Sequence, residues 1–485
     1  VTTRTGTRYH LDCRSGDDAK AGTSPTTAWR TLAKASSVTF RPGDSLVLRR
    51  GTACSGVLKP QGSGTASAPI RIGAYGRGAL PAVDGGGARA TVLLENVQGY
   101  EIRDLDVSNR AQADGTARAG IYVLLTDYGT GSHYVVDRVK VHDVPGCDCL
   151  QAEKENAGGV IFKAAGSAKP TTFSGIRVTR NQISAIDNLG VGVLSTWSRR
   201  DDLYPAGTNS YVPITNVRVA GNRVGDTGGD GIMVSNATEP RIDHNLVNGF
   251  GRRAYMAHAA ILAFNSDRAV VEYNEVTGGV SSPPSFAFSV DAGNRDLTYQ
   301  YNYSHDNAGP FMLFCAFAGT YGDGATIRYN VSQDDKDLLI GNFDIPVVAN
   351  GCDDPIKNVK FYNNVIRSTV AERLVRSLPH TPIAFSNNIF SGRPGAGSTI
   401  VDSVSTFDHN LYENVSTLPS GDHGAVNADP RFTRPGTGPL GYRLQCGSPA
   451  IGTGAAIPGF TGRDLFGNRV PNPPNIGVFQ GACVR

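Results

Sequence analysis

The chain has 485 residues, 40% apolar, 18% charged and 8% aromatic, with a formal charge of +3. No window approaches 18 consecutive apolar residues, which excludes a membrane-spanning helix, and the modest charge excludes a disordered chain or a long coiled coil. A nearly balanced charge without a Lys/Arg run leaves no electrostatic footprint for nucleic acid.

Near the start, Thr27 followed by AWRTLAKA predicts a short helix. From residue 91 onward, strands of two kinds alternate. The first kind reads G-Φ-x-Φ-x: GIYVL from Gly120, GVIFK from Gly159, GVGVL from Gly190, GIMVS from Gly231, AILAF from Ala260, AFSVD from Ala287, PFMLF from Pro310 and LLIGN from Leu338. Its second and fourth residues point inward and its fifth outward. The second kind ends on Asn: Asn181, Asn222, Asn245, Asn274, Asn302, Asn330, Asn364, Asn388 and Asn410, spaced 41, 23, 29, 28, 28, 34, 24 and 22 residues apart. A unit of 22 to 29 residues with occasional insertions is one coil of a solenoid. Stacked coils pair every strand with the one about 4.8 Å above it, and a repeated Asn at one bend forms a ladder with the bend backbone. Asn also simply favours bends, and both causes give the same architecture.

This pattern resembles the right-handed parallel β-helix of the pectin-lyase-like superfamily. Tyr9 to Ala35 looks like the entry segment of secreted β-helix polysaccharide-degrading enzymes, and Cys446 to Gln480 like their terminal segment. The resemblance implies one all-β domain over 1–485: an N-terminal cap and first coils (1–90), regular coils (91–415), and C-terminal coils with a cap (416–485). The helix would lay Trp29, Leu32 and Ala35 over the first coil. Disulfides Cys13–Cys54 and Cys446–Cys483 would staple the ends, which a solenoid otherwise leaves open. Eight scattered cysteines and a start at Val1 without Met fit a mature secreted protein. Cys147 and Cys149 stay unassigned.

In the family the G-Φ-x-Φ-x sheet floors the substrate groove. Its outward fifth residues are Leu124, Lys163, Leu194, Ser235, Phe264, Asp291, Phe314 and Asn342. Asp291 is the sole acid among them, and an acid on an apolar floor suits general acid catalysis. A turn aspartate is the plain alternative. One coil further, Cys315 and Cys352 fall within disulfide reach, and their loop carries Asp344, Asp353 and Asp354. Asp291 and Asp344 then suit the spacing of an inverting glycosidase. A second group at the other sheet edge holds Asp187, Asp226, Asp230, His258, His305 and Asp306; Asp230 and His258 come one coil apart and form a second candidate pair, or mark turns. Trp197 with Arg199, Arg200 and Tyr204, and Arg252 with Arg253 and Tyr255, are candidate sugar contacts, or ordinary loop anchors.

The expected function is an inverting glycoside hydrolase that needs no cofactor. The alternatives are a polysaccharide lyase, with Lys163 as base and Ca²⁺ held by loop acids, and a non-enzymatic glycan-binding solenoid. The expected partner is a polysaccharide or oligosaccharide, with no nucleic acid or membrane, on a monomer.

Overall fold

Valine and isoleucine at every second position decide which side of each strand is buried. In the computed structural model, which describes residues 6–146, 157–340, 343–350, 352–376 and 380–485, these residues stack coil upon coil. The chain packs as two compact units. The first is Val1–Arg199 with Gly207–Arg241 and Gly249–Met256; the second is Arg200–Ala206 with Ile242–Asn248 and Ala257–Arg485.

The first unit is a parallel β-helix with three sheets. One contains Arg8–Leu11, Ser45–Arg49, Ile70–Tyr75, Tyr100–Arg103, Thr130–Asp137, Thr172–Thr179 and Ile214–Ala220 in that order. The sheet of G-Φ-x-Φ-x strands contains Ala90–Glu95, Ala119–Thr126, Gly158–Ala165, Leu189–Ser195 and Ile232–Ser235. Its inner column is Val92, Ile121, Val160, Val191 and Ile232, all fully buried. Each such side chain contributes roughly 1.5–3 kcal/mol of hydrophobic stabilisation. The outer column reads Glu95, Leu124, Lys163 and Leu194, as the sequence pattern requires.

At the N-terminus the helix is Leu32–Ser36, capped by Thr31, whose hydroxyl accepts the Lys34 N–H. Thr27 closes a 3₁₀ turn instead of capping the helix. The burial of Trp29, Leu32 and Ala35 agrees with the capping role. The disulfide Cys13–Cys54 forms here, and Cys446–Cys483 forms in the second unit. Cys147 and Cys149 lie outside the described residues.

The second unit repeats the architecture. Its groove-side sheet contains His258–Phe264, Ser285–Asp291, Met312–Cys315, Val348–Asn350, Arg373–Arg376, Ser398–Val401 and Val415–Thr417. Ile261, Phe288, Met312, Val348 and Val375 form its buried inner column.

Two expected registers fail here. In PFMLF the strand begins at Met312, so Met312 and Phe314 point inward and Asp291 pairs with Cys315, not Phe314. Gly309 and Pro310 belong to the preceding turn, where Pro has no N–H to give a ladder. LLIGN is not a strand of this sheet. Leu338–Ile340 pairs antiparallel with Phe343–Ile345 in a hairpin, and Val348–Asn350 takes the expected place in the coil. Asn342 itself lies outside the described residues.

The asparagine ladder is present. In the first unit the Asn181 amide donates to Asn222 Oδ1 at 2.9 Å. In the second, Asn245, Asn274, Asn302, Asn330, Asn364 and Asn388 each donate to the next rung at 2.9–3.1 Å, ending with Asn388 to Asn410. Asn410 in turn donates to Asp422 Oδ2 at 2.9 Å, which also accepts the Tyr412 hydroxyl. The other amide hydrogen reaches buried backbone, as from Asn302 to the Val271 carbonyl at 2.9 Å. Residues just before the rungs, including His244, Tyr273, Tyr301 and Tyr329, have φ of 53–59°. The left-handed conformation costs an L-residue about 1–2 kcal/mol, and the rung beside it offsets that cost. A shorter buried ladder joins Asn307 to Asp335 Oδ1 at 2.7 Å, with Ser332 donating to Asp335 Oδ2 at 2.7 Å. Complete burial pushes the Asp335 carboxyl up to about 6.

Candidate active site

A regular strand points residues three apart to opposite faces. Arg373 and Arg376 escape this rule because the strand Arg373–Arg376 carries a register shift between Arg373 and Val375. Leu374 and Val375 are both buried, while the two arginines that flank them both meet Asp344. Bulges re-aim side chains in this way.

The hairpin brings carboxylates to these arginines. Asp337, just before it, accepts the Arg373 Nε–H on Oδ2 at 2.6 Å and the Glu372 backbone N–H on Oδ1 at 3.2 Å. Asp344, on its second strand, places Oδ1 2.7 Å from the same Nε and Oδ2 3.0 Å from Arg376 Nη1. One atom therefore lies beside an oxygen of each acid, which puts those oxygens no more than 5.3 Å apart. Asp337 is 8% exposed and Asp344 21%. Asp344 is a candidate in the sequence, whereas Asp337, Arg373 and Arg376 carry no signal there. QDDKDLL reads as a polar turn, and a bulge has no period-two signature.

Asp291 ends the strand Ser285–Asp291, half-buried, and its Oδ1 accepts the Ser289 hydroxyl at 2.6 Å. The disulfide Cys315–Cys352 forms beside it, as the register requires. Asp354 accepts the Gly319 N–H at 2.7 Å, a structural turn contact, and Asp353 is exposed. The segment Arg200–Ala206 straps the same unit: Arg200 pairs with Asp267 at 2.8 Å and donates to the Gly293 carbonyl, and Tyr204 meets Phe264 edge-on at 5.1 Å. Tyr204, Phe264 and Asp291 thus belong to one face of the second unit.

Other candidates are placed differently. Trp197 is not an exposed platform: it is 5% exposed and its indole N–H reaches the Ala165 carbonyl at 3.3 Å. An indole buries readily once its N–H has a partner. Arg199 is exposed in the first unit, and Lys163 is half-buried there. Arg253 is spent on Asp187 and Asp226 at 2.6 and 2.8 Å, with Arg252 3.9 Å from Asp226 and Tyr255 exposed. These arginines anchor a turn of the first unit. Asp230, in the first unit, and His258, in the second, are each 4% exposed. His305 bonds Asp306 at 2.8 Å and stacks on Tyr303. Among the described residues no group of three His, Cys, Asp or Glu side chains is placed to hold a metal.

The chain is a parallel β-helix. Residues 158–333 match the family model described as a right handed beta helix region. Lacto-N-biosidase of Bifidobacterium longum subsp. longum is 25% identical over an alignment that covers 100% of this chain and 37% of that protein. The chain therefore spans little more than a third of that relative's length. A crystal structure of a GH136 lacto-N-biosidase from Eubacterium ramulus superposes with a TM-score of 0.61 at 21% identity, over 84% of this chain and 67% of that one. The complex of XylC with xylose gives a TM-score of 0.56 at 10% identity, over 98% of each chain. These structures share the fold.

Proposed function

We propose that the protein is a glycoside hydrolase whose catalytic carboxylates are Asp337 and Asp344. The observation that carries this reading is the shared Arg373 Nε, which holds the two acids within one guanidinium's reach. The likeness to lacto-N-biosidase along the whole chain supports glycosidic cleavage and makes lacto-N-biose-terminated glycans the first compounds to test. One acid protonates the departing glycosidic oxygen while the other attacks the anomeric carbon. Water, deprotonated by the first acid, then releases the sugar. Carboxyl groups roughly 5–5.5 Å apart belong to this retaining course, and the inverting course leaves roughly 6.5–9.5 Å for a water. The shared contact with Arg373 favours the retaining course, and on this reading Asp337 rather than Asp291 is the partner of Asp344.

Arg373 and Arg376 orient the acids, and their fixed fork geometry suits that task. Asp291, with Phe264 and Tyr204 on the same face, is read as a more distant sugar subsite. The three disulfides among the described residues fit an extracellular location, and a monomer suffices for this site. The test is a glycan panel followed by reducing-sugar release and by absorbance at about 235 nm, where a conjugated elimination product would absorb. Reducing ends without absorbance, unaffected by chelator, support the hydrolase. An absorbance rise would instead establish lyase chemistry, with Lys163 as the base or Ca²⁺ neutralising a uronate carboxylate.

A further inference from the structure

Five of the six strand residues in the hairpin Leu338–Ile340 and Phe343–Ile345 are apolar. Leu339 is nevertheless 65% exposed and Ile340 37%. A single exposed leucine is ordinary on a protein surface. What sets Leu339 apart is its register: it pairs directly with Asp344. Directly opposed residues of an antiparallel pair project to the same face, with Cβ atoms about 5 Å apart. Leu338, Ile340 and Ile345 share the other face by the same alternation. Leu339 therefore presents an uncovered isobutyl group on the face that carries Asp344, and Asp344 in turn meets Arg373 and Arg376.

The chemistry of this position selects its occupant. A pyranose ring has a face made of C–H groups, which gains from leaving water against an apolar side chain. Leucine offers no donor and no charge, so it gives nothing to a sugar carboxylate. We propose that Leu339 is the apolar wall of the subsite in which a neutral pyranose ring lies beside Asp344, and that it governs affinity for that ring. The assignment rests on the hydrolase reading of Asp337 and Asp344.

The test uses the full chain with Leu339→Ser and Leu339→Phe, assayed on whichever neutral glycan of the panel is cleaved. Binding of the same glycan to the Asp344→Asn protein, with and without each Leu339 substitution, is followed by calorimetry. Leu339→Ser is expected to raise KM and weaken binding about tenfold while kcat stays within about twofold. Leu339→Phe, which keeps an apolar wall, is expected to hold KM within about threefold of the unaltered protein. An unchanged KM in Leu339→Ser overturns the inference and leaves the hydrolase reading standing. A fall in kcat at constant KM in both variants also overturns it, because it assigns Leu339 to holding the hairpin. A chain that neither cleaves nor binds any glycan defeats both readings together.

Discussion

Asp344 Oδ1 lies 2.7 Å from Arg373 Nε, and Arg373 sits at a register shift of its strand. The contact joins an excursion from one coil to the floor of the next. It makes the placement of Asp344 depend on two local departures from a regular coil, the hairpin and the bulge.

Substituting either acid tests this arrangement. Asp337→Asn and Asp344→Asn are each expected to lower kcat by roughly 10³-fold or more, because each removes a group that acts only in the transition state. Azide added to the alanine variants is expected to give a glycosyl azide of inverted configuration where the nucleophile is missing and of retained configuration where the acid/base is missing, which assigns the two roles. Proton NMR of the first-formed sugar should show the anomeric configuration of the substrate. Inverted product would remove the assignment of this pair.

Arg373→Lys separates positioning from charge. Lysine keeps the positive charge but cannot hold two acids on one planar fork. The expected outcome is a loss of roughly 10²-fold in kcat with KM little changed and a melting temperature close to that of the unaltered protein. Full activity in this variant would mean that the acids find their positions without it.

The pH dependence of stability should carry the mark of Asp335. Its folded-state value is raised from 3.8 to about 6 by burial, so the protonated form is the one the fold prefers. Its contribution is complete below the unfolded value and is lost as pH rises through about 6, a change of order 3 kcal/mol. Asp335→Asn keeps an acceptor for the Asn307 amide and never ionises. Urea melts should therefore show the variant gaining on the unaltered protein between about pH 3 and about pH 8. A constant gap across that range would refute the burial argument.

The asparagine rungs should be individually expensive to lose. Asn302→Ala leaves the Asn274 backbone N–H and side-chain amide without their acceptor, and removes one donor from the Val271 carbonyl. Each stranded buried group costs about 1–3 kcal/mol, so a loss of about 3 kcal/mol or more is expected in denaturant melts. A change below about 1 kcal/mol would show that water replaces the rung.

Much of this molecule is legible in its sequence, for a physical reason. A rung Asn and a buried valine recur because each coil must satisfy the same backbone groups and fill the same interior. The in-phase positions from Asn181 to Asn410 therefore announce the fold, and the register from Val92 to Ile232 follows from it. The candidate site is less legible because it is built where the repeat is broken. LLIGNFDI alternates like a coil strand, and alternation alone cannot separate a strand of the helix from a hairpin leaving it. The inward turn of Phe314 depends on where Pro310 lets the strand begin. The polar neighbours of Trp197 suggest a sugar contact at the surface, whereas the Ala165 carbonyl that takes its N–H lies 32 residues away in the chain.

The rungs have a direction. Within each unit the side chains accept from the preceding coil and donate to the following one, so each run is a one-way relay. Asp422 receives from Asn410 and, as a carboxylate, has no hydrogen to hand on. The terminus of the stack is thus written in a single functional group: an acceptor without a donor closes the relay, and an amide at the same place would reopen it to another turn of the coil.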